Sequence, residues 1–271
     1  MRYIVDHDFH IHSGGSMCSG DPEQTPARIL QYGLDEGLSA VALTDHFWDE
    51  TVPMPQGGWG PDFYTSQNFP HISKQLPLPS HDNIRFIFGA EVDMTLDGSV
   101  GVSPERLAQM DILLISISHF HMTDFTISAA DSATPAGRAK VLLDKLETVL
   151  EKDLPWEKIA LAHLTGPKLG GGDADFHCAV LELVKGERLT NLFKKAAALG
   201  AGIELNTATF KFGNEAEEQA VVDFYAHAKE CGCKFTFGSD AHCPDQFLPH
   251  RERGQRMADA LGLEEKDIFR V

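Results

Sequence analysis

The sequence lacks two features that mark large classes of protein: long apolar runs and a surplus of basic residues. No stretch of about 18 apolar residues occurs in its 271 residues, so we expect no transmembrane helix. Lysine and arginine number 23 against 40 aspartates and glutamates, which gives a formal net charge of −17. Binding to nucleic acid or to anionic lipid requires a basic surface, so neither partner is expected.

Cysteine is also scarce. Five cysteines in a chain of this length predict no disulfide framework. Because the number is odd, it fits a protein of the reducing cytosol. Cys231 and Cys233 have no second pair with which to complete a zinc site, so we interpret them as structural. Charged residues interrupt the apolar run near Met1, which argues against a signal peptide. We therefore expect a cytoplasmic protein, of an oligomeric state that the sequence does not indicate.

What the sequence does contain is a regular alternation of short apolar runs with amphipathic segments. The apolar runs predict strands over Tyr3–Ile11, Ala40–Leu43, Arg85–Phe88, Ile112–Ile117, Ile159–Ala162, Gly202–Leu205 and Lys234–Phe237. The amphipathic segments predict helices over Pro26–Glu36, Ala136–Leu150, Ala179–Leu199, Ala216–Lys229 and Arg251–Leu261. This alternation indicates an α/β protein with a parallel sheet, closed or nearly closed into a barrel. An open doubly wound sheet fits the same periodicity.

We expect a single domain over residues 1–271, because one α/β barrel of about 250 residues would fill the chain. Residues 48–84, approximately, are rich in proline and glycine and predict an insertion that serves as a lid or binding loop. Its aromatic residues are available to pack on a substrate: Trp48, Trp59, Phe63, Tyr64 and Phe69. Gly166–Asp175 is glycine-rich but lacks the spacing of a P-loop, so we expect a flexible rim loop.

Each predicted strand carries a polar residue at or near its C-terminal end. His10 and His12 end the first strand, and a period of two places both imidazoles on one face. The later strand ends supply His46, Glu91, His119, His163, Glu204 with Asn206, and Asp240 with His242. In a parallel barrel these ends meet on one face. Because imidazoles with a few carboxylates suit Zn, Fe or Mn better than Mg or Ca, the pattern predicts a polynuclear metal centre.

The ordered series of motifs resembles the PHP family, named for polymerase and histidinol phosphatase. The motifs are D-F-H-I-H-S, L-T-D-H, G-A-E-V, I-S-H, A-H, E-L-N-T and G-S-D-A-H. The resemblance implies a distorted (βα)7 TIM-like barrel with a trinuclear metal site at the C-terminal ends of the strands, and phosphoesterase activity. It assigns His10, His12, Glu91 and Asp240 to the first metal, Glu91, His119 and His163 to the second, and His46 and His242 to the third.

One position departs from the family pattern. Many members carry another histidine several residues after the H-x-H motif, whereas here the best-placed donor is Cys18. A thiolate is a competent zinc ligand, so Cys18 is a candidate ligand of the third metal. The alternative is that Cys18 is a loop thiol and the third site is weak or empty. We expect two to three divalent transition-metal ions, Zn, Fe or Mn.

Several other polar residues lie near the strand ends. Asn206, Lys211 and His121 are candidate substrate-binding residues. Lys211 is either a cation that binds phosphate, as similar enzymes place a basic residue there, or a solvated loop lysine. Asp45 and Asp8 are expected at most to support the centre without binding a metal. His7 is expected either to do the same or to lie at the surface.

The resemblance implies hydrolysis of a small phosphomonoester, histidinol-phosphate-like or other, through a metal-activated hydroxide. Asp240 or His242 would help to protonate the leaving alkoxide. An amidohydrolase-type enzyme shares the H-x-H motif but often uses a carboxylated lysine, which no strand end offers here. A non-catalytic PHP-type module would have lost ligands, whereas eight apparent ligands remain. The acidic charge disfavours the polynucleotide substrates of the family's exonucleases.

Overall fold

Parallel strands form the framework of the computed structural model, which describes residues 1–54, 66–209 and 213–271. They are β1 (His7–Ile11), β2 (Ala40–Leu43), β3 (His46–Phe47), β4 (Arg85–Asp93), β5 (Ile112–Ser116), β6 (Ile159–Ala162), β7 (Gly202–Asn206) and β8 (Lys234–Gly238). The sheet order is β1-β2-β4-β5-β6-β7-β8, and the short β3 pairs with the upper half of β4. The alternative of an open doubly wound sheet is wrong, because the order follows the chain without reversal.

The first and last strands meet at their C-terminal ends and nearly close the barrel. The Asp240 amide donates to the His10 carbonyl at 2.7 Å, and the His12 amide donates to the Ala241 carbonyl at 3.0 Å. A parallel bridge joins Ile11 to Ala241 between these bonds. The predicted TIM-like α/β barrel is therefore confirmed, and its closure places the end of β1 beside the end of β8.

Helices connect the strands. They are α1 (Pro26–Asp35), α2 (Phe69–Ile72), α3 (Pro104–Leu107), α4 (Ala129–Ser132), α5 (Pro135–Leu150), α6 (Ala174–Val184), α7 (Glu187–Leu199), α8 (Glu215–Glu230) and α9 (His250–Ala260). Side chains of Thr25, Thr134, Asp173 and Asn214 accept hydrogen bonds from amides of the first turns that follow them. These caps satisfy amides that have no partner within the helix, and so fix where each helix begins.

The predicted helix over Ala179–Leu199 is wrong as a single element. The structure has two helices there, α6 and α7, separated at Lys185 and Gly186. Gly186 has a φ of 133°, which only glycine adopts readily, so the chain turns between them. The apolar periodicity continues across the break because both helices bury a face against the barrel, and periodicity alone does not reveal such a turn.

The interior of the barrel is apolar toward the N-terminal ends of the strands, its lower end, and polar toward their C-terminal ends, its upper end. Phe9 belongs to one buried cluster with Phe269 and with small residues of other strands, among them Ala160 and Ala162. The Phe269 amide donates to the Phe235 carbonyl at 2.7 Å, so the C-terminal tail is held against the lower end of the barrel. On β4, side chains two residues apart lie on the same face, so Ile87 of this core points into the barrel on the same side as Glu91 and Asp93. The polar upper layer thus continues the faces of the strands that form the core.

The segment after β3 is partly described. Trp48 is buried with Met122 and Phe125, and its indole N–H donates to the Val52 carbonyl at 3.1 Å. Phe69 lies under the guanidinium of Arg106. Trp48 is therefore a core residue and does not face a substrate, contrary to the prediction. The other predicted aromatic residues of this segment, Trp59, Phe63 and Tyr64, lie outside the described residues.

Among the described helices, none is long and apolar enough to cross a membrane.

Candidate metal centre

A cavity of about 800 Å³ opens at the C-terminal ends of the strands. Most of the predicted site residues line it: Cys18, His46, Glu91, His119, His121, His163, Asn206, Asp240 and His242. His10 and His12 are fully buried and lie at the floor of the same region, in contact with these residues. The topology therefore brings the predicted ligands together from every strand end that carries one.

At the floor, the Nε2 atoms of His10 and His12 lie 3.1 Å apart. The Nδ1 atom of His10 is 2.7 Å from a Glu204 carboxylate oxygen and donates to it, so Nε2 is the nitrogen that faces the other ligands. The Nε2 atoms of His10 and His12 lie 3.3–3.4 Å from Glu91 Oε2, and His12 Nε2 lies 3.3 Å from Asp240 Oδ1. Imidazole nitrogens and carboxylate oxygens that converge in this way fit a cation between them.

Glu91 occupies the middle of the centre. Its Oε1 is 2.7 Å from His163 Nε2 and 3.5 Å from His119 Nε2, and its Oε2 is 3.1 Å from His46 Nδ1. Burial alone would raise the pKa of Glu91, but the surrounding histidines hold it well below its usual range. The buried carboxylate is therefore ionised, and its two oxygens face different groups of imidazoles, as a bridging ligand requires.

Among the residues that the structure describes, three groups of side chains have ligand atoms that all lie within 4.8 Å of one another. They are His10 with Glu91 and His163, His10 with His12 and Asp240, and His12 with Cys18, His46 and His242. The third group includes the cysteine that replaces the expected histidine. The nitrogen, carboxylate and thiolate donors present in these groups suit transition metals, so the residues fit the predicted ions.

Partners behind the rings fix the direction of several imidazoles. His119 Nδ1 is 2.8 Å from Asp93, His163 Nδ1 is 3.1 Å from Ser118 Oγ, and His242 Nδ1 is 2.7 Å from the Asp240 carbonyl. With Nδ1 used in this way, Nε2 is the nitrogen of each ring that would bind an ion. Metal-binding histidines in proteins commonly have such partners, which orient the ring and make its nitrogen more basic.

The backbone is in an unusual conformation at two of the predicted ligands. His163 has a φ of 31° and Asp240 a φ of 54°, values that residues with a β-carbon rarely adopt. Each follows the end of a strand, β6 for His163 and β8 for Asp240. Such conformations cost roughly 1–3 kcal/mol and concentrate at functional sites, where the surrounding structure holds them.

The remaining predicted residues fall into different places. Asn206 Nδ2 lies 3.4 Å from Asp240 Oδ2, and the exposed His121 packs its ring against His119. Lys211 lies outside the described residues.

The residues expected to support the centre are buried behind it. Asp45 accepts hydrogen bonds from the amide and hydroxyl of Ser13, and Asp8 accepts them from the His10 and Ser239 amides. Of the two alternatives for His7, a position at the surface is wrong, since His7 is fully buried and bonds Thr236 and Tyr3.

Sequence reasoning missed one carboxylate behind the ligands, Asp93, and did not identify the role of another, Glu204, which it named only as a polar residue at a strand end. Asp93 holds His119, and Glu204 holds His10. Asp93 is two residues after Glu91, so the period of two that aligned His10 with His12 would also have identified it. The prediction ended the strand at Phe88, whereas β4 continues to Asp93.

Comparison with known proteins agrees with this architecture. The sequence matches no model of a known protein family. The chain is 16% identical to the histidinol phosphate phosphatase of Lactococcus lactis, with a TM-score of 0.60 over 97% of this chain and 95% of that one. A candidate histidinol phosphatase of Listeria monocytogenes is 17% identical, with a TM-score of 0.53 over 89% and 97%. The resemblance to the PHP family is confirmed at the level of the fold.

A curated relative extends the comparison. The DNA polymerase/3'-5' exonuclease PolX of Bacillus subtilis is 25% identical over 223 residues, which are 81% of this chain and 34% of that protein. This chain therefore matches about a third of the polymerase. The crystal structure of the Lactococcus lactis phosphatase contains Zn, L-histidinol and phosphate.

Proposed function

We propose that this protein is a metal-dependent phosphoesterase of the PHP family that hydrolyses a small phosphomonoester. One observation carries the proposal: three overlapping groups of imidazoles, carboxylates and one thiol, two of them sharing His10, line or underlie one cavity. The similar fold of a phosphatase that binds Zn, L-histidinol and phosphate supports it. Two to three ions, Zn, Fe or Mn, would be held as the resemblance assigns them, with Cys18 added to the third.

Bound ions would supply positive charge for the phosphate oxygens and lower the pKa of a water molecule to near neutrality. Within the chain, Glu91 would hold neighbouring ions at a fixed separation. Asp240 and His242 line the cavity, and we expect one of them to relay a proton from a water molecule to the leaving oxygen. Asn206 and His121 also line the cavity and would contact the substrate.

The cavity favours a small and anionic substrate. A volume of about 800 Å³ is typical of sites for small molecules. Lys168 and Arg253 line its wall and bring positive charge to an otherwise acidic protein. We propose that they, with Lys211, attract the phosphate ester, and that the insertion at 48–84 selects its leaving group. A single domain and a cytoplasmic location complete the proposal.

Phosphate release tests the proposal directly. Purified protein loaded in turn with Zn²⁺, Mn²⁺ or Fe²⁺ is assayed on phosphomonoesters, including histidinol phosphate and p-nitrophenyl phosphate. We expect release that a chelator abolishes and added metal restores. Amides, lactones and single-stranded DNA form the comparison arms.

A matched variant controls for indirect effects. Glu217→Gln removes a carboxylate that contacts His177 at 2.7 Å, away from the cavity lining, and should leave activity unchanged. Asp240→Asn should abolish it. If metal-loaded protein releases no phosphate but opens lactones or amides, the amidohydrolase alternative is correct. Protein that binds no metal would instead indicate the non-catalytic module.

A further inference from the structure

Glu204 is a buried carboxylate that accepts hydrogen bonds from two predicted metal ligands at once. It lies on β7 and has no accessible surface. Its Oε1 is 2.7 Å from His10 Nδ1, and its Oε2 accepts from the His163 backbone amide at 2.6 Å. His10 comes from β1 and His163 follows β6, so one side chain connects ligands from two separate parts of the barrel.

The bond to His163 acts on the strained part of the backbone. His163 has a φ of 31°, and its amide N–H donates to the side-chain carboxylate of Glu204 on the neighbouring strand β7 rather than to a backbone carbonyl. Hydrogen bonds to an ionised acceptor are stronger than bonds between neutral groups. Glu204 therefore stabilises the conformation in which the His163 ring reaches Glu91.

Glu204 and Glu91 hold the two histidines from opposite sides. Glu91 contacts His10 Nε2 at 3.3 Å and His163 Nε2 at 2.7 Å, whereas Glu204 contacts His10 Nδ1 and the His163 amide. His10, Glu91 and His163 form one of the three metal-binding groups, and all three are buried. The position of two of its three ligand atoms thus depends on Glu204.

The neighbouring residues leave room for this carboxylate. A β-carbon placed on Gly238 would lie 2.0 Å from Glu204 Oε1 and 2.4 Å from His10 Cβ. Glycine at the end of β8 is therefore required for Glu204 and His10 to meet. The Asn206 amide lies 3.5 Å from both Glu204 oxygens and 3.4 Å from Asp240, and it connects Glu204 to the cavity wall.

We propose that Glu204 is a positioning residue, which sets His10 and His163 for metal binding and so determines how tightly the His10–Glu91–His163 group holds its ion. The proposal rests on the proposed function only in taking this group to bind a metal. Loss of partners behind metal-binding histidines lowers metal affinity by roughly 10- to 100-fold in other proteins. Because one carboxylate here holds two ligands, we expect its loss to lower the metal affinity by roughly 10-fold or more.

Glu204→Gln tests the proposal. Glutamine keeps the shape, but its amide nitrogen donates hydrogen bonds and cannot accept from the second N–H group. Zn²⁺ affinity is measured by competition with a chromophoric chelator, and bound metal is counted after dialysis. We expect at least one Zn²⁺ to bind roughly 10-fold or more weakly than in the wild type. The thermal midpoint of the metal-free protein reports folding separately.

Glu217→Gln is the matched control, because it removes another carboxylate at 2.7 Å from a buried histidine. Its Zn²⁺ affinity should equal that of the wild type. If Glu204→Gln does not fold, Glu204→Asp keeps the charge but withdraws it from both N–H groups, and the same loss is expected. Unchanged Zn²⁺ affinity in whichever variant folds overturns the proposal. Since this readout needs no turnover, an inactive wild type would refute the proposed phosphatase function and leave this result interpretable.

Discussion

At the scale of single residues, Cys18 distinguishes this centre from one built of nitrogen and oxygen donors. Its sulfur lies within 4.8 Å of ligand atoms from His12, His46 and His242. If the thiolate binds the third ion, Cys18→Ser should reduce the metal content by one ion per chain. In Co²⁺-loaded protein it should also abolish the near-ultraviolet absorption that sulfur-to-cobalt charge transfer produces.

Cys178→Ser is the control for that experiment, since Cys178 is a half-buried thiol on α6 outside the three groups. It should change neither the metal count nor the absorption. Full metal content in Cys18→Ser, with no change in the spectrum, would identify Cys18 as a loop thiol.

Gly238 offers a second test at this scale. Gly238→Ala would force its new methyl group into the Glu204 carboxylate and the His10 side chain. Overpacking a close contact costs roughly 1–3 kcal/mol, so we expect a loss of that size in the free energy of unfolding in urea. Gly213→Ala, where no atom of the described residues lies within 4 Å of the new β-carbon, should have a stability near that of the wild type. Equal stability of the two variants would contradict the tight packing described for β8.

At the scale of elements, helix α5 carries a buried lysine that makes stability depend on pH. Lys145 is 5% exposed, donates to the Met94 carbonyl, and has its pKa lowered by burial from 10.5 to about 7. Between these values the unfolded chain binds a proton that the folded chain does not. The free energy of unfolding should therefore rise with pH in this range, by about 1.4 kcal/mol per pH unit.

The comparison with Lys145→Met isolates this contribution. In denaturant titrations, the unfolding free energy of the wild type minus that of the variant should become more positive from pH 7.5 to pH 9.5. Lys140→Met on the same helix removes an exposed lysine paired with Asp144, and should show no such slope. Parallel curves for wild type and Lys145→Met would mean that the buried lysine keeps its ordinary pKa.

Elements also show what sequence reasoning can and cannot reach. The strands over Ala40–Leu43 and Ile159–Ala162 were predictable with their bounds, because short β-branched and apolar runs between turn signals admit few other structures. The two-residue strand His46–Phe47 was not, since it exists only through pairing with β4. Among site residues, Glu204 was noticed as polar but its partners were not, because they come from distant parts of the chain.

At the scale of the whole molecule, bound ions should stabilise the fold. Ions that bind the folded chain alone stabilise it by about 2.7 kcal/mol at 100 times the dissociation constant. For a protein of this size that corresponds to a rise in Tm of roughly 5–10 °C. Chelation should lower the Tm and Zn²⁺ or Mn²⁺ should restore it, in differential scanning fluorimetry.

Ca²⁺ at the same concentration is the control, because it prefers oxygen ligands and should restore less. A Tm that does not respond to chelation would mean that the described groups hold no ion. The formal charge of −17 belongs to the chain alone. Two or three divalent ions would make the cavity less acidic where an anionic ester would approach.

The packing of Phe269 in the cluster of Phe9 closes the barrel at the N-terminal ends of its strands. The tail fills the lower end, so the centre is reached from the face where the strands end. If the proposed function is correct, ester, water, alcohol and inorganic phosphate would all pass through this face of the described barrel. The product that lies nearer to the opening would then have to leave before the other. Slow release of either product would limit the turnover rate, even if the hydrolysis step itself is fast.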